Sequence, residues 1–263
     1  MSVKPAPAVP SPAATLVLLR DRPGGGVETL LIQRHHKSRF AAGDFVFPGG
    51  RIEPDDNPPD AVGWCVGLNE ATAARRLGVT EGHAALGYWI GAIREAFEEV
   101  GTLMAYGADG GLVRDPARFA AHRRACHQDN RAFWDFLRAE RLRLATDRLT
   151  YFAHWITPEE NPLRFDTRFF AAVMPSEQTA VPDEREIVAV RWLAPAEAAA
   201  ARERGEIGLR LPTLKSLMLF DGAASAAEAL DGLAGRTITT IRPRLVMDGG
   251  ERRAILPGEP GYH

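Results

Sequence analysis

Three apolar stretches open the chain: Thr15 to Leu19, Thr29 to Arg34 and Asp44 to Phe47. Each is short and bounded by turn residues, and each predicts a strand. The Pro-Gly-Gly-Gly at 23–26 separates the first two, and Pro48-Gly49-Gly50 must end the third. After a Pro/Asp-rich piece comes a helical patch, Asn69 to Leu77, and from about Ala84 to Met104 apolar residues recur at helical spacing. Residues 115–148, rich in Ala, Arg, Leu and Phe, predict two or three helices. Strand character returns at Tyr151 to Ile156, Thr167 to Met174 and Ile187 to Leu193. Pro195 to Gly205 predicts a helix opened by proline, and Pro212 to Phe220 and Ser225 to Leu233 two more. Thr237 to Met247 and Glu251 to Leu256 predict a hairpin turned at Asp248-Gly249-Gly250. The pattern describes one α/β (α+β) domain over 14–263 with helical insertions, among them a stretch around 56–84, a helical segment around 115–148, and C-terminal helices and a hairpin around 206–263. A Pro/Ala-rich leader over 1–13 reads as disordered.

Charge changes this picture little. With 32 Lys+Arg against 34 Asp+Glu in 263 residues, the formal charge of −2 supplies no bulk pull toward nucleic acid or anionic lipid. Neither is an expected partner, and any anion site must be local. No apolar run approaches the roughly 18 residues that span a bilayer. Two cysteines, Cys65 and Cys126, cannot build a disulfide framework or a structural zinc site, which points to free thiols and a cytoplasmic setting.

The segment Ile93-Arg94-Glu95-Ala96-Phe97-Glu98-Glu99-Val100-Gly101 carries the most chemistry. On a helix advancing about 100° per residue, Glu95, Glu98 and Glu99 share one face, and Ile93, Phe97, Val100 and Met104 line the other. Three like charges at that spacing repel and invite a neutralising partner; without one they are an ordinary solvated face. Mg²⁺ accepts such oxygen ligands together with substrate phosphates. Arg94 adjoins the cluster and can hold one carboxylate in place.

Together with Phe47-Pro48-Gly49-Gly50-Arg51-Ile52-Glu53, this helix resembles the signature of the Nudix hydrolases. That signature runs Gly, five residues, Glu, seven residues, then Arg-Glu-(apolar)-any-Glu-Glu-any-Gly-(apolar). Gly49 matches its first position and Arg94 to Gly101 its second half, with Ala96 and Thr102 at the two apolar positions. By count, Asp55 replaces the isolated Glu, with Asp56 as the alternative. Between Asp55 and Arg94 lie 38 residues instead of 7, an insertion of 31. It falls in a loop, where added length costs little closure entropy.

Upstream, Arg34 and Arg39 stand five apart, Gly43 follows after four and Phe47 after four more. This is similar to the motif of the coenzyme A-directed Nudix branch, with Ile32 where that motif has Thr and His35 where it has a small residue. Both arginines can make forked hydrogen bonds to phosphate, and His35, His36 and Lys37 add local positive charge. The plain alternative is a basic surface loop. His154 to Pro158 and Arg164 to Phe170 are similar to acyl-CoA diphosphatases that also carry a long insertion in the box, so the resemblance spans roughly 14–195. Trp155 and Phe170 by themselves read as core, and His83 and His154 carry no assignment.

The resemblance implies a Nudix fold, a central mixed sheet between helices, and Mg²⁺- or Mn²⁺-dependent cleavage of a diphosphate linkage. It implies CoA or acyl-CoA as the small-molecule substrate, with 3′,5′-ADP and (acyl-)4′-phosphopantetheine as products. Glu95, Glu98 and Glu99 would hold the metal, Arg34 and Arg39 would receive the 3′-phosphate, and Gly49 and Gly50 would line the substrate site. The general base would be a helix carboxylate or Glu184 or Glu186 from the loop Pro182 to Glu186. Two other readings stay open: a pyrophosphatase for ADP-ribose, NADH or another nucleoside diphosphate derivative, and a non-catalytic nucleotide sensor. The intact Arg94/Glu95/Glu98/Glu99 set argues against the sensor. A homodimer is compatible with the sequence and not required by it.

Overall fold

The computed structural model describes residues 6–38 and 40–262, leaving aside the side chains at 83, 248 and 251. Strands β1 (Ser11–Asp21) and β2 (Val27–Arg34) form a hairpin across the glycine-rich turn. Along β1, Leu16 and Leu18 enter one core while Val17 and Leu19 enter another, and on β2 Leu30 and Ile32 oppose Leu31 in the same way. Side chains alternate across a strand, so unbroken apolar runs mean that both faces are covered.

β1 begins at Ser11, so residues 11–13 of the expected leader belong to the sheet. Their composition gives no sign of it, because the order comes from partners distant in sequence. The Ser11 N–H donates to the Arg164 carbonyl at 2.9 Å, and the Arg164 guanidinium donates to the Ala8 carbonyl at 2.6 Å.

Short strands β3 (Phe45–Val46) and β4 (Gly49–Arg51) follow, β4 pairing with the start of β1. The insertion holds α1 (Ala61–Trp64) and α2 (Glu70–Leu77), and the Asn69 side chain caps α2 by accepting from the Thr72 N–H at 2.9 Å. Then comes α3 (Gly82–Val100). The apolar pattern continues to Met104, but α3 stops at Gly101, whose φ of 70° closes it in the left-handed region open to glycine.

Within 115–148 only part is helical: α4 (Ala120–Cys126) and α5 (Arg131–Glu140) lie inside a two-stranded pairing of β5 (Ala105–Tyr106) with β6 (Arg143–Leu144). Next come β7 (Thr150–Ile156), β8 (Phe165–Val173), β9 (Ile187–Leu193), α6 (Pro195–Glu203), α7 (Leu211–Leu217) and α8 (Ala226–Asp231). The expected long hairpin arm from Thr237 to Met247 is broken. β10 (Thr240–Ile241) pairs in parallel with β7, and only β11 (Arg244–Asp248) pairs with β12 (Glu251–Ile255). Pro243, which has no N–H to give a ladder, lies at the break.

The main sheet is mixed, in the order β10-β7-β8-β1-β2-β3, with β4 on β1 and β9 on β2. One face packs on α3 and α5, where Phe97 stacks on Phe136 at 5.1 Å. The other packs on α6, α7 and α8 through Phe152, Phe169 and Phe220. The architecture is the expected mixed sheet between helices. Among the described residues no helix is long and apolar enough to cross a membrane.

Candidate active site

Arg94 is the hub of the site. It is buried on α3, and its five guanidinium N–H groups are shared among four partners. Nε and Nη2 grip Asp56 at 2.7 and 3.0 Å, and Nη1 reaches Glu95 at 3.0 Å and Glu98 at 3.2 Å. Nη2 also donates to the Arg51 carbonyl at 3.1 Å, tying β4 to the helix. Burial opposes the charge of Arg94, but Glu95, Asp56 and Glu98 hold it protonated.

Asp56, not Asp55, therefore faces the helix. The count along the motif misses by one because Pro54–Asp56 winds into a 3-10 turn that swings its third residue inward, where the Asp56 carboxylate also accepts the Glu53 N–H at 2.8 Å. Asp55 is exposed, and its carbonyl accepts the Trp134 indole N–H at 2.6 Å.

The acidic face is not a solvated one: Glu98 is 7% and Glu99 4% exposed. Glu99 accepts the Gly49 N–H at 2.8 Å, and its other oxygen lies 3.8 Å from Arg34. Burial pushes the Glu95 carboxyl up to about 7 against the pull of Arg94. Burial also raises Glu98, and it raises Glu99 well above the usual range, with Glu95 adding to the effect.

Behind this cluster lies the loop after β8. The Asp183 carboxylate accepts the backbone N–H groups of Arg185, Glu186 and Ile187 at 3.2, 3.1 and 2.8 Å, an Asx-type turn that fixes the loop. The Asp183 N–H donates to the Glu99 carbonyl at 3.1 Å. From α4, Arg123 donates to the carbonyls of Glu98 and Val181 at 2.8 and 3.0 Å, joining the end of α3 to this loop. Glu186 lines the cleft, 3.9 Å from Arg34; Glu184 is exposed, at a φ of 61°, and is not among the cleft-lining residues. Asp183 and Arg123 are supports of the site that the motifs did not single out, whereas Asp56 is one of the two aspartates the motif left open. Of these two supports, Asp183 left a sequence signal, an Asp whose carboxylate can accept N–H groups two to four residues on.

Arg34, Arg94, Glu95, Glu98, Glu99 and Glu186 line a cleft of about 760 Å³ together with Gly49, Gly50 and the apolar Phe40, Trp155, Phe165 and Leu211, with Arg210 over the Phe40 ring at 5.5 Å. Arg34 thus reaches the carboxylates, while Arg39 lies outside the described residues. Trp155 is both core and cleft wall, and Phe170 is core alone. His154 sits between Asp166 and Thr240 at 2.6 and 2.7 Å and is not a cleft residue.

The donor chemistry fits a hard divalent cation. The Glu98 Oε1 atom is buried with no hydrogen-bond partner, an arrangement that costs free energy unless something compensates it. Glu95 and Glu99 crowd beside it with raised pKa values, as uncompensated carboxylates do. As the side chains stand, no group of three or more His, Cys, Asp or Glu among the described residues is arranged to hold a metal ion. Glu95 and Glu98 each turn one oxygen to Arg94, and Glu99 turns one to Gly49.

Residues 82–219 match the family model described as the NUDT19 Nudix domain, more than half of the chain. The chain is 27% identical over 311 residues to the acyl-coenzyme A diphosphatase NUDT19 of Homo sapiens, covering 99% of this chain and 82% of that one. To the protein of that name from Xenopus laevis it is 27% identical over 203 residues, covering 65% of this chain and 53% of that one. Among solved structures, a NUDIX hydrolase from Alicyclobacillus acidocaldarius superposes with a TM-score of 0.72 at 25% identity, over 87% of this chain and 99% of that one.

Proposed function

The chain belongs to the NUDT19 Nudix domain family, an enzyme family acting on diphosphate bonds, and from that premise we propose that it cleaves the diphosphate linkage of CoA or an acyl-CoA. The products are 3′,5′-ADP and 4′-phosphopantetheine or its acyl form. One observation carries the reading: the Arg94-centred carboxylate cluster, with its unpartnered Glu98 oxygen, opens into a cleft that also has apolar walls. A substrate with a charged diphosphate and a long, partly apolar arm matches that polarity.

Glu95, Glu98 and Glu99 would hold a divalent cation. When bound, it neutralises diphosphate charge and lowers the pKa of an attacking water. Arg94 keeps two of these carboxylates from swinging away, and Asp56 in turn keeps Arg94 in place. Arg34, whose Nε is buried without a partner, donates to the diphosphate, because it stands between Glu99 and Glu186 at the reacting end. The 3′-phosphate then falls to Arg39. Glu186, on the loop braced by Asp183, removes the proton from the attacking water. The setting is the cytoplasm, which the free thiols of Cys65 and Cys126 support.

The test is a panel of CoA, acyl-CoAs, NADH, ADP-ribose and diadenosine polyphosphates with Mg²⁺ and Mn²⁺, products identified by mass. CoA or an acyl-CoA should give the highest kcat/KM. A higher kcat/KM for NADH or ADP-ribose would overturn the substrate assignment.

A further inference from the structure

The cleft is completed by chain beyond the matched family region, which ends at residue 219. On the hairpin, Leu245 of β11 pairs across from Ala254 of β12, and both line the cleft. Side chains alternate across a strand, so the next pair on the same face is Met247 with Arg252. Met247 is 67% exposed, an apolar side chain left open where the hairpin face runs out of the cleft.

The approach of this segment to the cleft is fixed at its start. Ile241 of β10 pairs with Trp155 of β7, and the Thr240 hydroxyl lies 2.7 Å from His154 Nδ1. His154 Nε2 in turn lies 2.6 Å from Asp166 of β8, so one buried imidazole clips the segment to two strands of the sheet. Pro243 then carries the chain over the cleft. Other walls of the cleft are Phe165, set edge-to-face on Phe40 at 5.3 Å, and the aliphatic Leu163 and Leu211.

We infer that the inner face of the β11–β12 hairpin, Leu245 and Ala254 continuing to Met247, seats the acyl chain of the substrate. The inference rests on the acyl-CoA reading above. With the diphosphate at the carboxylates, the two arms of the substrate must diverge. The nucleotide arm carries the 3′-phosphate and belongs with the basic run His35-His36-Lys37 that follows β2, whereas β10, from which the hairpin leaves, lies at the opposite edge of the sheet from β2 and β3. The other arm is left with the hairpin side of the cleft, whose aliphatic Leu245 and Ala254 and open edge at Met247 suit an alkyl chain of variable length.

The test is calorimetric binding of CoA and decanoyl-CoA in EDTA, which prevents turnover, alongside cleavage of both with Mg²⁺. Each seated methylene strengthens binding about four-fold. The unmodified protein should therefore bind decanoyl-CoA more than about 10-fold tighter than CoA. Leu245→Asp and Met247→Asp should each collapse that ratio several-fold, and Met247 is exposed enough that its substitution leaves the fold intact. Equal binding of the two ligands by the unmodified protein would overturn the inference, as would a ratio unmoved in both variants. Equal loss of both ligands would place the nucleotide there instead and also overturn it. If CoA is cleaved normally in any of these cases, the diphosphatase reading stands. If CoA and decanoyl-CoA are neither bound nor cleaved, that reading fails and this one with it.

Discussion

Replacing Asp56 by Asn, with Asp55→Asn as its twin, separates what the motif count suggests from what the fold does. Asp56 is 1% exposed and gives both oxygens to Arg94. Asn keeps the shape but loses the charge and one acceptor, leaving a buried guanidinium short of a partner. Breaking a buried ion pair from one side costs about 3–5 kcal/mol, and a lost hydrogen bond to a charged group roughly 1.5–3 kcal/mol. Because Asn retains one acceptor, about 3 kcal/mol is expected, or roughly 6–12 °C in Tm for a chain of this size. Turnover should also fall about 10- to 100-fold, the usual effect of removing a group that orients metal-site carboxylates. Asp55→Asn should stay within about 0.5 kcal/mol, since Asp55 is exposed and its hydrogen bond to Trp134 is made by the backbone carbonyl. Circular-dichroism melts in EDTA and kcat on CoA with Mg²⁺ measure both. Equal effects from the two substitutions, or a silent Asp56→Asn, would refute the reasoning.

Glu98→Gln and Glu99→Gln keep side-chain shape and should each lower kcat at least about 100-fold at saturating metal, the scale at which preorganised charge acts; near-normal kcat in either variant removes that residue from the site. Arg39→Ala should shrink the preference for CoA over dephospho-CoA, set at about 10- to 150-fold by one charge-assisted hydrogen bond, while leaving hydrolysis of dephospho-CoA nearly unchanged; equal kcat/KM on the two substrates in the unmodified enzyme contradicts this. For metal-free protein the pH dependence has a definite sign. The folded-state pKa of Glu95 is about 7 against an ordinary 4.5, so the folded chain retains a proton that the unfolded chain has released. Stability present below about 4.5 is then lost as pH rises toward 7. Melts in EDTA should show Tm falling across that window and Mn²⁺ restoring it, and a Tm that rises there would be incompatible with the buried cluster.

Much of the fold was legible because its signals are local. The short unbroken apolar runs on β1 and β2, the proline opening α6 and the i, i+3, i+4 carboxylates on α3 need no knowledge of distant partners. What stayed hidden depends on pairing across the chain. Residues 11–13 look like leader by composition and become strand because β8 lies alongside. Thr240 and Ile241 look like hairpin and instead join β7. The burial of Glu98 and Glu99 was equally invisible, since a helical wheel shows which residues share a face and not what covers it. Arg123 illustrates the limit: its work is done on two main-chain carbonyls, at Glu98 and Val181, and backbone contacts leave no motif.

The split signature shows how a catalytic constellation survives a 31-residue interruption. Loop length adds to closure entropy only logarithmically, so the requirement is that the two ends meet again in the right place. Three features arrange that meeting. Gly87 and Gly91 lie one turn apart on the face of α3 that continues to Arg94 and Glu95. A Cβ at Gly91 would come within 2.7 Å of the Ile52 side chain and 3.1 Å of the Asp56 carboxylate, and one at Gly87 would strike the Asn57 amide, so chain 52–57 lies directly on the bare helix. Trp134 of α5 holds the turn from its other side through the Asp55 carbonyl. Arg94 then locks it with Asp56. The helical segment after α3 and the glycines of α3 itself thus stand in for sequence proximity. That is why the motif's spacing could lengthen while the relation of β4 to the carboxylates, read in the Gly49-to-Glu99 hydrogen bond of 2.8 Å, stayed fixed.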